Sequence, residues 1–311
     1  MNLILTNTST EEIANSLLHG EELYSLATGR VLTLLVAASE RDDMDSILDT
    51  VRTATRQHPA RVLVVVAGDK GADSALDAEI MLTAEAGASE LVVMKLYGEL
   101  VEHMDSVVIP LLLPDTPIVA WWPTATPKRP AEAPLGRLAH RRITNTRRTT
   151  TGNALLRLSS GYAEGDSDMM WSRITLWRGI VASTLDRNPE QHIESISITG
   201  PVDNPSVDIA GGWLASCLDV EVTRLPAEGT SAIIHNVPIT SLVINRADGS
   251  IAVSVVDERT VRVSSPGLPD SYVAMTARSD ADCLAEELRH LDPDIPYARA
   301  LGGLTRVSEH N

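Results

Sequence analysis

The chain of 311 residues contains no phenylalanine, and aromatic residues of all kinds make up 3% of it. Its core must therefore be aliphatic, packed by Leu, Val, Ile, Ala and Met, as suits a mixed α/β protein long enough for about two domains. Cysteine is nearly absent. Cys217 and Cys283 are too few and too far apart in sequence for a disulfide framework or a zinc site, and both are expected to be buried thiols. No apolar run approaches ~18 residues, and the opening MNLILTNTSTEE lacks a basic flank and a long apolar stretch. The expectations are no membrane span, no signal peptide and a cytoplasmic location. Basic residues are also in deficit: the formal charge is −16, which argues against binding nucleic acid or an anionic membrane, since both need a basic face.

Catalytic signatures are missing too. Neither G-x-G-x-x-G nor G-x-x-x-x-G-K-[ST] occurs, there is no H-E-x-x-H and no G-x-S-x-G elbow. The turn Gly68-Asp69-Lys70-Gly71 follows an apolar strand, where an α/β sheet often holds a ligand, but Asp69 sets an anion where a phosphate would approach. It reads as a plain turn. In the loop Gly200 to Ser206, Ser206 is suited to capping and Asp208 to the positive end of the following helix, while Asp203 has no partner at a spacing that would make it an acid or base. No metal and no cofactor are expected.

Against this background the aromatic surface is concentrated. DSVVIPLLLPDTPIVAWWP ends in Trp121 and Trp122, adjacent residues that must face opposite sides of a strand. One indole is expected in the core, the other outward, as core edge or docking surface. A basic stretch follows: Lys128, Arg129, Arg137, Arg141, Arg142, Arg147, Arg148 and Arg157 stand against Glu132 alone. It reads as a solvated connector, or as a dock for an acidic partner or a phosphorylated metabolite. In the segment Asp168 to Leu185, expected as one helix, Trp171, Ile174, Trp177, Val181 and Leu185 form an apolar stripe that contains Arg178. That guanidinium needs a partner, either a structural carboxylate or an interface where Arg sits beside Trp.

The periodicities predict an α/β chain. Thr10 to His19 reads as a helix capped by Thr10; Val31 to Ala38, Asp42 to His58 and Arg61 to Ala67 form a βαβ unit. Strands Ala78 to Ala84 and Ser89 to Tyr97, joined by a turn at Glu85 to Ala88, make an N-terminal mixed sheet, and Leu100 to Leu112 reads as helical up to Pro110. Ile118 to Trp122 returns to the sheet, and a short helix is expected near Leu135 to Arg142. The chain is expected to divide into 1–150, an N-terminal α/β domain, and 151–311, a C-terminal α+β domain with meander-like antiparallel strands and a hairpin at Asp248-Gly249. A final amphipathic helix, capped by Ser279, stops at Pro293.

LYGELVEHMDSVVIPLLLPDTPIVAWWP, the RRIT of Arg141 to Thr144 and DMMWSRITLWRGIVASTLD, together with GRVLTLLV near the start and LAEELRHLDPDIPYARAL near the end, resemble the glucose-6-phosphate dehydrogenase assembly protein family, OpcA, across most of the chain. The resemblance implies a non-enzymatic partner that binds glucose-6-phosphate dehydrogenase and assembles or allosterically activates it in the oxidative pentose phosphate pathway. It implies no catalytic residue. Cyanobacterial relatives are linked to thiol control through clustered C-terminal cysteines; Cys283 stands alone here, so that route is not implied. The candidate partner-binding residues are Trp121, Trp122, Arg141, Arg142, Trp177 and Arg178. The alternatives are an enzyme acting on a sugar phosphate and a metabolite-sensing module using the basic stretch.

Overall fold

The computed structural model describes residues 2–24, 31–82, 90–149, 153–187, 190–227 and 238–309, and in 21–24 the backbone alone. The expected turn at Glu85 to Ala88 and the immediate surroundings of residue 150 lie outside the described residues. The chain forms two compact units that interleave in sequence. One comprises Met1–Thr151, Gly161–Met169 and Asp280–Pro293; the other comprises Gly152–Ser160, Met170–Ser279 and Asp294–Asn311.

The first unit is built on an eight-stranded mixed sheet, ordered β1-β4-β5-β3-β2-β6-β7-β8. Its strands are β1 Asn2–Leu5, β2 Leu32–Ser39, β3 Ala60–Ala67, β4 Leu76–Leu82, β5 Glu90–Leu96, β6 Ile118–Trp122, β7 Arg141–Thr144 and β8 Asp166–Asp168. Strands β5, β3, β2, β6, β7 and β8 run parallel, with β4 antiparallel to β5 and β1 antiparallel to β4 at one side. The unbroken apolar runs of β2 and β3 follow from this: a central parallel strand is covered on both faces, and nearly every residue of the two is buried. Helix α1, Thr10–Tyr24, is opened by Ser9, whose hydroxyl accepts from the amide of Glu12, and not by Thr10. Helix α2, Met44–Thr55, is capped by Asp43, which accepts from the amide of Ser46, and turns Ile47, Leu48, Val51 and Ala54 inward. The stretch after β5 is not one helix but a 3-10 turn at Gly98–Glu102, helix α3 at Met104–Val108 and another 3-10 turn at Ile109–Leu111; the chain leaves helical geometry at His103, and Pro110, which has no amide, ends the α ladder after Val108. The helix expected near Leu135 to Arg142 ends early: α4 spans Pro134–Leu138, and Arg141 begins strand β7.

In the second unit, α5 is Ala154–Ser160, and α6, Met169–Arg173, opens at the last residue of a first-unit segment. Helices α7, Thr175–Leu185, and α8, Pro205–Leu218, accompany a seven-stranded mixed sheet in the order β14-β13-β12-β11-β9-β10-β15. Its strands are β9 Ile193–Gly200, β10 Val222–Pro226, β11 Ser241–Arg246, β12 Gly249–Asp257, β13 Thr260–Ser264, β14 Ser271–Ala274 and β15 Val307–Glu309. β9, β10 and β15 are parallel, and β11 to β14 form an antiparallel meander. The β11–β12 hairpin turns at Ala247-Asp248, one residue earlier than expected, and Gly249 opens β12 with a φ of +124° that suits a residue without Cβ. The cap of α8 is Asn204, which accepts from the amide of Ser206. Cys283 is buried as expected, whereas Cys217 is exposed, near the end of α8.

Candidate functional site

In the first unit the strand order reverses direction between β2 and β6, so the crevice beyond their carboxyl ends is where an open α/β sheet receives a ligand. Here the chain's own side chains occupy it. Asp42 closes the turn after β2 by accepting from the Ser39 amide at 2.7 Å and the Ser39 hydroxyl at 3.0 Å, and Asp43 takes the Ser46 amide at the head of α2. Glu40, Asp42, Asp43 and Asp45 crowd this loop with carboxylates, which opposes an approaching phosphate. What remains is a cavity of about 30 Å³ against Asp43, Ser46, Trp121, Thr124, Arg148 and Asp280, with Arg148 and Asp280 paired at 3.3 Å. That is room for a water molecule. The turn at Gly68 is likewise self-contained: the Asp69 carboxylate accepts from the Gly71 amide at 2.8 Å.

Both tryptophans of β6 are buried, which corrects the expectation that one faces outward. Trp122 packs in the aliphatic core with Leu135 and Ala139. Trp121, on the opposite face, donates its indole N–H to the sulfur of Met169 at 3.1 Å. Helix α4 lies so close to Trp122 that a Cβ on Gly136 would fall 1.8 Å from the Pro130 carbonyl oxygen and 3.3 Å from the indole ring.

Arg141 and Arg142 are buried in strand β7, not solvated. Arg141 meets Glu287 at 2.5 Å and donates to the Asp292 carbonyl at 2.9 Å. Arg142 meets Asp166 at 2.5 Å and donates to the carbonyls of Ala139 and Glu164. Burial pushes the Asp166 carboxyl above its ordinary range, an effect that the adjoining Arg142 opposes but does not overcome. The basic stretch is thus matched in space by acids, most of them from elsewhere: Arg129 pairs with Glu132, Arg137 with Asp105 and Arg148 with Asp280. Asp105 is held below the usual carboxylate range chiefly by its hydrogen bond from Arg137. No local signal announces these pairings, since most partners are far along the chain.

The segment expected as a single helix from Asp168 is three elements. Asp168 belongs to β8, where its carboxylate accepts from the Thr144 and Thr146 hydroxyls and the Thr146 amide, and the helix breaks at Ile174 between α6 and α7. The apolar stripe survives the break: Trp171, Ile174, Trp177 and Val181 are all buried. Trp177 meets Trp213 edge-on, with ring centroids 6.1 Å apart. Arg178 is half-buried, its guanidinium stacked 3.4 Å above the Trp171 ring while donating to the Thr175 hydroxyl at 2.9 Å. Trp171 in turn donates to Asp294 at 2.7 Å and packs against Tyr297. Helical spacing singles out Arg178 and Trp171 but not Asp294, whose role as cap of the helix Ile295–Gly303 is visible as Asp-Ile-Pro. Among the described residues no group of His, Cys, Asp and Glu is arranged to hold a metal, and no helix is long and apolar enough to cross a membrane.

Comparison with known proteins adds the family. Residues 51–160 match the N-terminal domain of the glucose-6-phosphate dehydrogenase subunit (OpcA assembly), and residues 164–301 match the C-terminal domain of the same subunit (OpcA). No curated protein matches the chain. Among solved structures, an oxidoreductase from Sinorhizobium meliloti is 9% identical over 90% of this chain and 97% of its own, with a TM-score of 0.43. A Gfo/Idh/MocA family oxidoreductase from Vibrio cholerae is 8% identical over 87% of this chain and 94% of its own, with a TM-score of 0.37. With both domain families matched in order along its length, the chain belongs to the OpcA family of glucose-6-phosphate dehydrogenase assembly proteins.

Proposed function

We propose that this protein binds glucose-6-phosphate dehydrogenase in the cytoplasm and shifts it toward a more active or better assembled state, without performing chemistry itself. The observation that carries the proposal is the match of both halves of the chain to the two domain families. The closed crevice supports it: at the switch point of the first unit, carboxylates and the Arg148–Asp280 pair stand where a nucleotide would lie. Of the six candidate contact residues, Arg178 is the one with a half-exposed side chain, and the neighbouring Leu176 is an exposed apolar residue on the same helix. We assign the direct contact to Arg178 and the face of the helix that carries it, since Leu176, two residues away, projects from the other side. Trp177, buried on the same helix, supports that surface, while Trp121, Trp122, Arg141 and Arg142 are buried within the first unit and hold its sheet.

A binder moves an equilibrium only as far as its affinities for the two states differ. Titrating the protein into its cognate dehydrogenase should change substrate affinity or maximal rate and then saturate. A flat titration, with the complex shown to be formed, overturns activation; turnover of a sugar phosphate by this protein alone overturns the non-enzymatic reading.

A further inference from the structure

The seven-stranded sheet of the second unit has two unlike faces. Alternation puts Ile196, Ile198, Leu242, Ile244, Ile251 and Val253 on one side, where all are buried. On the other side the strand registers align Leu225, Thr199, Ser241, Ser254, Arg262 and Tyr272 in one row across five strand pairings. The adjacent row centres on Val243, between Ser197 and Ala252. Ser197, Ser241, Val243, Ala252 and Ser254 are half-exposed, and the outer end of the face opens fully, with Tyr272 64% exposed.

Two properties limit what can cover this face. Its centre has low relief, since the short hydroxyl and methyl groups of Ser197, Ser241, Ala252 and Ser254 leave neither a knob nor a pocket, and Arg262 and Tyr272 project at its outer end. It is also nearly neutral: within these two rows Arg262 is the one charged residue, and Asp270, 3.9 Å from it and accepting from the Ser264 hydroxyl, offsets it, in a chain whose formal charge is −16. An oppositely charged partner finds little to pair with, and a helix finds no groove. A second sheet of equal flatness and neutrality fits, and this same face on another copy supplies one. Two such acidic chains repel over most of their surface, so self-association is confined to a patch without net negative charge. The footprint is adequate as well: seven strands about 4.8 Å apart and about five residues long cover roughly 550 Å². The projecting Arg262 and Tyr272 add to this, toward the ~800 Å² per partner of an ordinary stable interface.

We infer that the protein forms a two-fold dimer by stacking the Ser/Thr-rich face of this sheet on the same face of a second copy, with Val243 near the axis. An isologous contact of this kind closes on itself and leaves the Arg178 surface to be tested separately. The dimer requires no dehydrogenase. Sedimentation velocity on the full chain at micromolar concentration should show a dimer, and Val243→Lys, which sets two ammonium groups against each other across the axis, should give a monomer with unchanged circular dichroism. Should Val243→Lys fail to fold, Arg262→Glu is the second arm, at a position already exposed and charged. Its expected effect is a rise of at least about tenfold in dissociation constant. A wild-type chain that stays monomeric, or a dimer indifferent to both substitutions, overturns the inference. A monomeric chain whose Val243→Lys variant loses the dehydrogenase also overturns it and gives the face to that enzyme instead.

Discussion

Arg141 and Glu287 form an ion pair 2.5 Å apart in which each side chain is 3% exposed, across 146 residues of sequence. The pair fastens the helix Asp280–Arg289 to strand β7 of the first unit, and the Asp292 carbonyl accepts a further hydrogen bond from the same guanidinium.

Breaking this pair from one side leaves a buried charge without its counterion. Glu287→Gln should lower stability by about 3–5 kcal/mol, whereas the double replacement Arg141→Met with Glu287→Leu should recover much of it, because two apolar side chains need no solvation. Chemical denaturation of the two variants checks this. Equal losses in both would mean that packing, not charge, sets the cost.

Asp208 gives the fold a pH dependence. Burial raises its carboxyl to about 6, against the pull of Arg224 and with help from Glu309. A carboxyl raised in the folded state favours the protonated form, so its contribution is full below the unfolded value of 3.8 and is lost as pH rises through about 6. The amount is on the order of 2–3 kcal/mol. Melting curves of wild type and Asp208→Asn should therefore diverge across that interval, with the variant gaining relative stability toward neutral pH and the difference flat above it. Glu309→Gln should move the interval to lower pH by removing a repelling charge.

Gly136→Ala tests the close approach of α4. A methyl group 1.8 Å from the Pro130 carbonyl oxygen cannot be accommodated without moving backbone, and Trp122 blocks another direction. The expected loss is about 2 kcal/mol or more, read by thermal unfolding. Gly179→Ala is the control, since a Cβ there meets nothing within 4 Å.

Arg178→Ala should cost about 1 kcal/mol of stability through the lost stacking on Trp171, and it should weaken the dehydrogenase complex by clearly more than that. Arg178→Lys keeps the charge but not the planar stack, so it should fall between. Calorimetric binding beside thermal unfolding separates the effects: a stability loss with unaltered binding assigns Arg178 a structural role alone.

Salt should affect association with the dehydrogenase only weakly. Arg129, Arg137, Arg141, Arg142 and Arg148 each have a carboxylate beside them, so the long-range field of the basic stretch is largely cancelled. Stopped-flow association from low to high ionic strength measures the slope. A steep fall would mean that the pairs open on approach.

Local pattern is enough to read the βαβ unit and the meander, because unbroken apolar strands and a DG hairpin are written in neighbouring residues. The caps at Ser9 and Asn204 fall one or two residues from where pattern alone puts them, since several hydroxyl and amide side chains compete within one turn. The basic stretch defeats local reading for a different reason. Whether Arg141 is solvated depends on Glu287, and no window along the chain contains both. Trp121 shows the same limit: an alternating strand says which face an indole takes, but not that Met169 waits there to cover it.

The return of the helix Asp280–Arg289 to the first unit carries a consequence for synthesis. A ribosome that has released the first 150 residues has released seven of the eight strands of that sheet, but neither β8 nor the carboxylate of Glu287. Until then the guanidiniums of Arg141 and Arg142 must stay hydrated, and the sheet beside them cannot close over its apolar side. The last pieces arrive only after β9 to β14 have emerged, so the first unit is completed late, by contacts distant in sequence.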